Sequence, residues 1–135
     1  DWLTGRQTRT LSELRDAAHA LMARGPKRIL VTSLHVEDTP EDAIDVLALD
    51  AAAAYRLRVP HLPILGRGTG DVIAALFLVH TLAGLPLTDC LARAVSSLHG
   101  VLAATVAAGR EEMVLIAAQA ELVAPSRLFT PERLP

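Results

Sequence analysis

Gly66-Arg67-Gly68-Thr69-Gly70-Asp71, followed at once by the apolar run Val72 to Leu85, is the stretch on which the fold turns. Three glycines alternate with side chains and then give way to a carboxylate and a helical pattern. Backbone N–H groups can crowd an anion there, while the helix N-terminus points at it. Such an arrangement suits phosphate. Glycines ahead of a helix also serve as plain turn residues, and a lone Gly-x-Gly is weak on any sequence. Asp71 strengthens the phosphate reading, because the helix dipole stabilises an acid beside amides that would otherwise attract an external anion. A carboxylate at this place is either an N-terminal cap or a catalytic group. As a catalytic group it would take the proton of a substrate hydroxyl attacking a γ-phosphoryl group, while the amides of Gly68 to Asp71 bind the developing charge.

Length and composition bound the rest. A chain of 135 residues, 51% of them hydrophobic, makes one ordinary domain or a piece of one, with enough apolar surface for a core. Thirteen basic side chains are scattered among fifteen acidic ones, for a net charge of -2. No basic stripe results, so neither nucleic acid nor an anionic membrane is an expected partner. Lys27 is the only lysine, and none follows the glycines, which removes a Walker-type P-loop. Cys90 stands alone, so no internal disulfide is expected, and a cytoplasmic, reducing location fits. No signal peptide is visible, and Val72 to Leu85 is too short to span a membrane and holds His80 and Thr81. The chain opens on Asp1-Trp2-Leu3 without an initiator methionine, which predicts a piece of a longer protein.

Upstream of the glycines, Thr10 with Glu13 forms a capping box ahead of Leu11, Leu14, Ala18, Leu21 and Met22 at helical spacing, with Gly25 and Pro26 as the stop. Arg28 to Ser33 is a β-branched run ending in two hydroxyls, the form of a buried strand whose C-terminal end meets a site. Asp38 to Asp42 predicts a turn, and Ile44 to Leu49 with Ala53 to Val59 a hairpin. Pro60 and Pro63 bracket a loop leading to the glycines.

Downstream, Val72 to Ala83 is apolar nearly all round and predicts a buried helix, stopped by Gly84 and Pro86. Thr88 is placed to cap a third helix that ends at Gly109, with Leu91, Ala94, Val95, Leu98, Leu102 and Val106 near one face. Met113 to Ala118 favours a strand over a short helix, though six apolar residues do not arbitrate by periodicity. The tail from Ala124 to Pro135 is expected to be irregular and superficial.

Thr32 and Ser33 divide evenly between local caps and ligands for nucleotide phosphates. His19, His35, His61, His80 and His99 show no metal-ligand spacing, so no metal site is assigned. Cys90 reads as a small half-buried hydrophobe rather than an activated thiol.

Gly68-Thr69-Gly70-Asp71-Val72-Ile73-Ala74-Ala75-Leu76 resembles the signature of pyridoxal kinases, within the ribokinase-like superfamily. Three flanks fit in the same order: Ile29 to Ser33, Ser96 to Leu102, and Leu115 to Gln119 with Pro125. The resemblance runs over the whole chain but matches the C-terminal part of that family. It implies a single α/β domain piece over residues 1–135, the C-terminal portion of a ribokinase-like central sheet flanked by helices. It implies ATP as co-substrate, with Mg²⁺ and often a monovalent cation, and phosphorylation of the 5′-hydroxymethyl group of pyridoxal, pyridoxine or pyridoxamine by a cytoplasmic homodimer. Carried over by position, Asp71 is the base and Gly68, Thr69 and Gly70 the anion hole. Thr32 and Ser33 face the ATP phosphates, and Leu62 and Leu102 wall the adenine.

Arg67 departs from the pattern, standing where a smaller residue is usual. The family's pyridoxal-binding residues, flap and Asn-x-x-Glu motif belong to its N-terminal half, so the isolated chain is expected to be nearly inactive. Hydroxymethylpyrimidine kinases are similar but tend to carry Cys where Asp71 stands, and sugar kinases Gly-Ala-Gly-Asp in place of Gly68 to Asp71. Outside enzymes, the same residues would suit a non-catalytic nucleotide-binding remnant, or a structural fragment whose glycines are only turns.

Overall fold

A computed structural model describes residues 10–64 and 67–135, so Gly66 of the glycine stretch lies outside the described residues. Helix α1 (Leu11–Met22) begins at the expected capping box: the Glu13 amide donates to Thr10 Oγ1 and the Thr10 amide to Glu13 Oε2, each at 3.2 Å. Strands β1 (Arg28–Leu34), β2 (Ala43–Asp50) and β3 (Ala54–Pro60) follow, and the hairpin between β2 and β3 is the one the sequence predicts. Its turn is set by Asp50, whose Oδ1 accepts from the amides of Ala52 (2.8 Å) and Ala53 (3.0 Å). Then come α2 (Thr69–Leu82), α3 (Leu87–Ala107), α4 (Gln119–Val123) and β4 (Glu132–Arg133).

The sheet runs in the order β1-β2-β3-β4, every neighbour antiparallel. Side chains alternate across it, as a period of two requires. Val46, Ala48, Leu57 and Val59 pack toward α2 and α3, with Ile73, Phe77, Leu91 and Val95. Leu47, Leu49 and Ala54 join Leu14 and Ala18 of α1 on the opposite face. The product is an α/β layered structure with helices on both sides of the sheet.

Several expectations give way. Among α2 residues only Ile73 and Phe77 are buried, while Leu78, Val79 and Leu82 are exposed, because the helix meets the sheet and α3 along one narrow line. Residues 113–114 are irregular and 115–118 form turns ahead of α4, rather than a strand. Thr105 Oγ1, bonded to the Val101 carbonyl, accepts from the Val114 amide at 3.2 Å and binds this stretch to α3, so the sheet does not recruit it. The tail is not simply superficial: Glu132–Arg133 pairs with Tyr55 and Arg56 of β3, and Phe129 and Leu134 are buried. Helix α3 starts at Leu87 after Pro86, whose fixed φ suits a helix entry, so Thr88 is inside the first turn and caps nothing. Cys90 is fully rather than half buried. Although α3 is long and apolar enough to cross a membrane, half of that window is buried against the rest of the protein, as in a core helix.

Candidate functional site

Gly68 caps α2 with φ at 80°, a left-handed conformation that glycine adopts without strain. The helix has no side-chain cap; the Asp71 and Val72 amides both close on the Gly68 carbonyl at 3.1 Å, and the positive end of the helix dipole favours an anion here. Asp71 is therefore not the cap; it sits exposed in the first turn. A Cβ at Gly70 would meet nothing within 4 Å, which leaves open space for a ligand against that backbone.

Facing this N-terminus is the end of β1. Val31 pairs with Leu47, but Leu34 pairs with Asp45, so Thr32 and Ser33 together oppose Val46. This is a β-bulge, a device that re-aims side chains at a strand end. Ser33 has φ at 55°, the only positive value outside glycine among the described residues. For a serine that costs on the order of 1–3 kcal/mol, held by the surrounding structure.

Between the bulge and α2 lies a cavity of about 290 Å³, near the lower end for a small-molecule site. Thr32, Ser33, Leu62, Thr69, Gly70 and Leu102 all line it, so six of the eight residues singled out in the sequence meet in one place. Gly68 and Asp71 are not in its wall; they belong to the same helix start.

The cavity also takes in His99, which lies within the Ser96 to Leu102 flank but was given no role. Its ring lies edge-on to Phe129 at 4.9 Å, and Arg127 stacks over Phe129 at 4.4 Å. Burial, and then the Arg127 charge, hold the imidazole below the ordinary histidine value; a hydrogen bond to the Pro60 backbone opposes them. His99 is thus neutral at pH 7, and its Nε2 is buried without a hydrogen-bond partner.

On the far face of the sheet, directly behind the bulge, Asp45 is fully buried. Arg58 grips it with two bonds, Nε to Oδ1 at 2.8 Å and Nη2 to Oδ2 at 2.7 Å. Thr39 donates its hydroxyl to Oδ2 at 2.7 Å and accepts from the Val36 amide at 3.1 Å. Burial alone would push the Asp45 carboxyl up, but the hydrogen bonds from Arg58 and Thr39 outweigh it and hold the group below the usual carboxylate range. Arg56 bridges outward to Asp38 at 2.5 Å and to Glu132 at 3.0 Å. Among the described residues, no three His, Cys, Asp or Glu side chains gather into a metal cage.

Residues 1–115 match the phosphomethylpyrimidine kinase family. The chain belongs to that family. Within it, 133 residues are 43% identical to the pyridoxal kinase PdxY of Granulibacter bethesdensis, covering 96% of this chain and 46% of that protein. The structure is similar to that of the pyridoxal kinase from Entamoeba histolytica, with a TM-score of 0.82 and 27% identity over 98% of this chain and 47% of the other. A pyridoxal kinase from Leishmania donovani, solved in complex with ADP and pyridoxine, shares the fold at a TM-score of 0.85 with 23% identity, covering 99% of this chain and 47% of its own. The ribokinase-like α/β expectation holds. This member of the family spans about half the length of the relatives it matches.

Proposed function

We propose that this chain is the nucleotide-binding half of an ATP-dependent kinase that phosphorylates the 5′-hydroxymethyl group of pyridoxal, pyridoxine or pyridoxamine. One observation carries the reading: two strand-end hydroxyls and an uncapped glycine-led helix start line a single cavity whose other walls are largely apolar. Phosphates suit the first part and a purine the second. Thr32 and Ser33 hold the phosphate chain, and Leu62 and Leu102 cover the base. The amides from Gly68 to Gly70 receive the charge that builds on the transferred phosphoryl group. Asp71 orients the substrate hydroxyl and takes its proton as the new O–P bond forms and the bond to the ADP leaving group breaks.

Kinases of this kind use Mg²⁺ to neutralise charge on the phosphates, often with a monovalent cation. Among the described residues no three His, Cys, Asp or Glu side chains gather; Mg²⁺ in such sites is held chiefly by the nucleotide phosphates with one or two carboxylates. A homodimer in the cytoplasm belongs to the same reading, which the resemblance to pyridoxal kinases supports. The family's name points to a phosphomethylpyrimidine as a second substrate; an aspartate at position 71, where hydroxymethylpyrimidine kinases tend to carry cysteine, favours the B6 vitamers.

In calorimetric titration the chain is expected to bind ADP, and Asp71→Ala to bind it with nearly the same affinity. In the complete enzyme carrying this chain, Asp71→Ala should lower turnover of pyridoxal by roughly 10²–10⁴-fold. Near-normal turnover would exclude Asp71 as the base, and faster phosphorylation of hydroxymethylpyrimidine than of pyridoxal would transfer the assignment to the second substrate. The 135-residue chain alone is expected to form almost no pyridoxal phosphate, checked by mass spectrometry of the product.

A further inference from the structure

The bulge that presents Thr32 and Ser33 is strained, and nothing in β1 itself accounts for its persistence. Strain of this kind lasts only where neighbouring contacts over-determine the backbone. The neighbouring contacts are on the opposite face of the sheet. Asp45 is the residue against which β1 regains its register, pairing with Leu34 directly after the bulge. It is also the cross-strand partner of Arg58 on its other side. Its carboxylate is fully buried, filled by two bonds from Arg58 and one from Thr39. Thr39 in turn holds the Val36 amide at 3.1 Å, so the loop leaving β1 is tied to the same carboxylate. Arg56, bonded to Asp38 of that loop at 2.5 Å, is a second tie. The bulge is thus pinned before it by the Val31–Leu47 pairing and after it by the Leu34–Asp45 pairing and the loop from Val36 to Thr39.

We propose that the Asp45–Arg58–Thr39 network positions the Thr32–Ser33 bulge for nucleotide phosphates, acting through the sheet from the face opposite the cavity. The proposal rests on the nucleotide reading above. None of the three residues touches the cavity, so each is a positioning residue. Thr39 is the useful handle: removing its hydroxyl cuts the loop from Asp45 while leaving the Asp45–Arg58 pair intact.

The test is ADP titration of the chain and of Thr39→Val, Thr39→Ser and Arg58→Lys, well below each variant's unfolding temperature, with amide hydrogen exchange followed at Ser33 and Leu34. Losing one hydrogen bond of ordinary net strength should weaken ADP binding by about three- to tenfold in Thr39→Val. Exchange at the bulge should accelerate in the same variant. Thr39→Ser, which keeps the hydroxyl, should restore both; a purely structural role would lower the unfolding temperature without moving affinity. Arg58→Lys keeps the charge but loses the two-pronged grip, and should weaken ADP binding in the same direction even if Thr39→Val fails to fold. Wild-type ADP binding with unchanged affinity in the folded variants overturns this proposal alone. No ADP binding by the wild-type chain at millimolar concentration overturns the nucleotide reading and this proposal with it.

Discussion

The imidazoles of His80 and His99 are both held below the ordinary histidine value of 6.5, first by burial and then by a neighbouring guanidinium, Arg93 or Arg127. The unfolded chain therefore binds more protons than the folded one just below that pH, and stability rises with pH across the window. Stability should be complete above pH 6.5 and fall as the pH drops below it. Asp45 acts in a lower window: its paired carboxylate stabilises the fold above about pH 3.8 and loses that effect as the pH falls further. Urea unfolding at pH 7.5 and 5.5 checks the first window, with a smaller difference expected in His99→Gln; an equal difference in the variant would remove His99 from the account. The residues around these groups were unequally legible. Thr32, Ser33, Thr69 and Gly70 stand out by local pattern, but hydroxyls at a strand end and glycines before a helix fit caps and turns as well as ligands, and only the fold gathers them around one cavity. His99 did not, since what gives it meaning, Phe129 and the Pro60 backbone, lies 30 and 39 positions away in the chain. Asp45 and Arg58 carry no local signal, because only the register makes them partners.

Helices α2 and α3 have similarly apolar sequences but different surroundings. Helix α3 lies against β2, β3, α2 and α4 and buries Leu91 and Val101 completely. Leu91→Ala should cost about 2–5 kcal/mol, as other large-to-small changes in packed cores do, read from the shift in urea midpoint at unchanged slope. A loss below about 1 kcal/mol would mean that the site collapses around the missing side chain. The hairpin of β2 and β3 was readable because two short strand-like runs, Ile44 to Leu49 and Ala53 to Val59, are separated by only residues 50–52. Residues 113–118 were not, because a six-residue apolar run fits strand and short helix alike, neither of which forms, and the deciding contact is the Thr105 hydroxyl on a different element. Helix α2 misled for a related reason: composition tells how much of a helix can be buried, and its neighbours decide how much is.

At the scale of the molecule, Leu78, Val79 and Leu82 leave α2 with an exposed apolar stripe, 55%, 61% and 77% accessible. Such a stripe favours self-association in solution. Leu82→Lys should leave unfolding stability within about 0.5 kcal/mol while lowering the sedimentation-measured fraction of associated chain. A larger loss of stability would show that Leu82 is covered in solution. The tail ties together segments distant in sequence. Phe129 donates its amide to Ser96 Oγ at 2.9 Å and packs on His99, Leu134 enters the core beside α1, and Glu132–Arg133 lies along β3. Those contacts set an order on biosynthesis. A ribosome delivers α1 to α4 and β1 to β3 before it delivers the segment that covers β3, so the nascent chain spends an interval with an open strand edge and a half-built wall around His99. Slow codons or a pause at that stage would prolong exposure to aggregation, and a chaperone would find its substrate then rather than earlier.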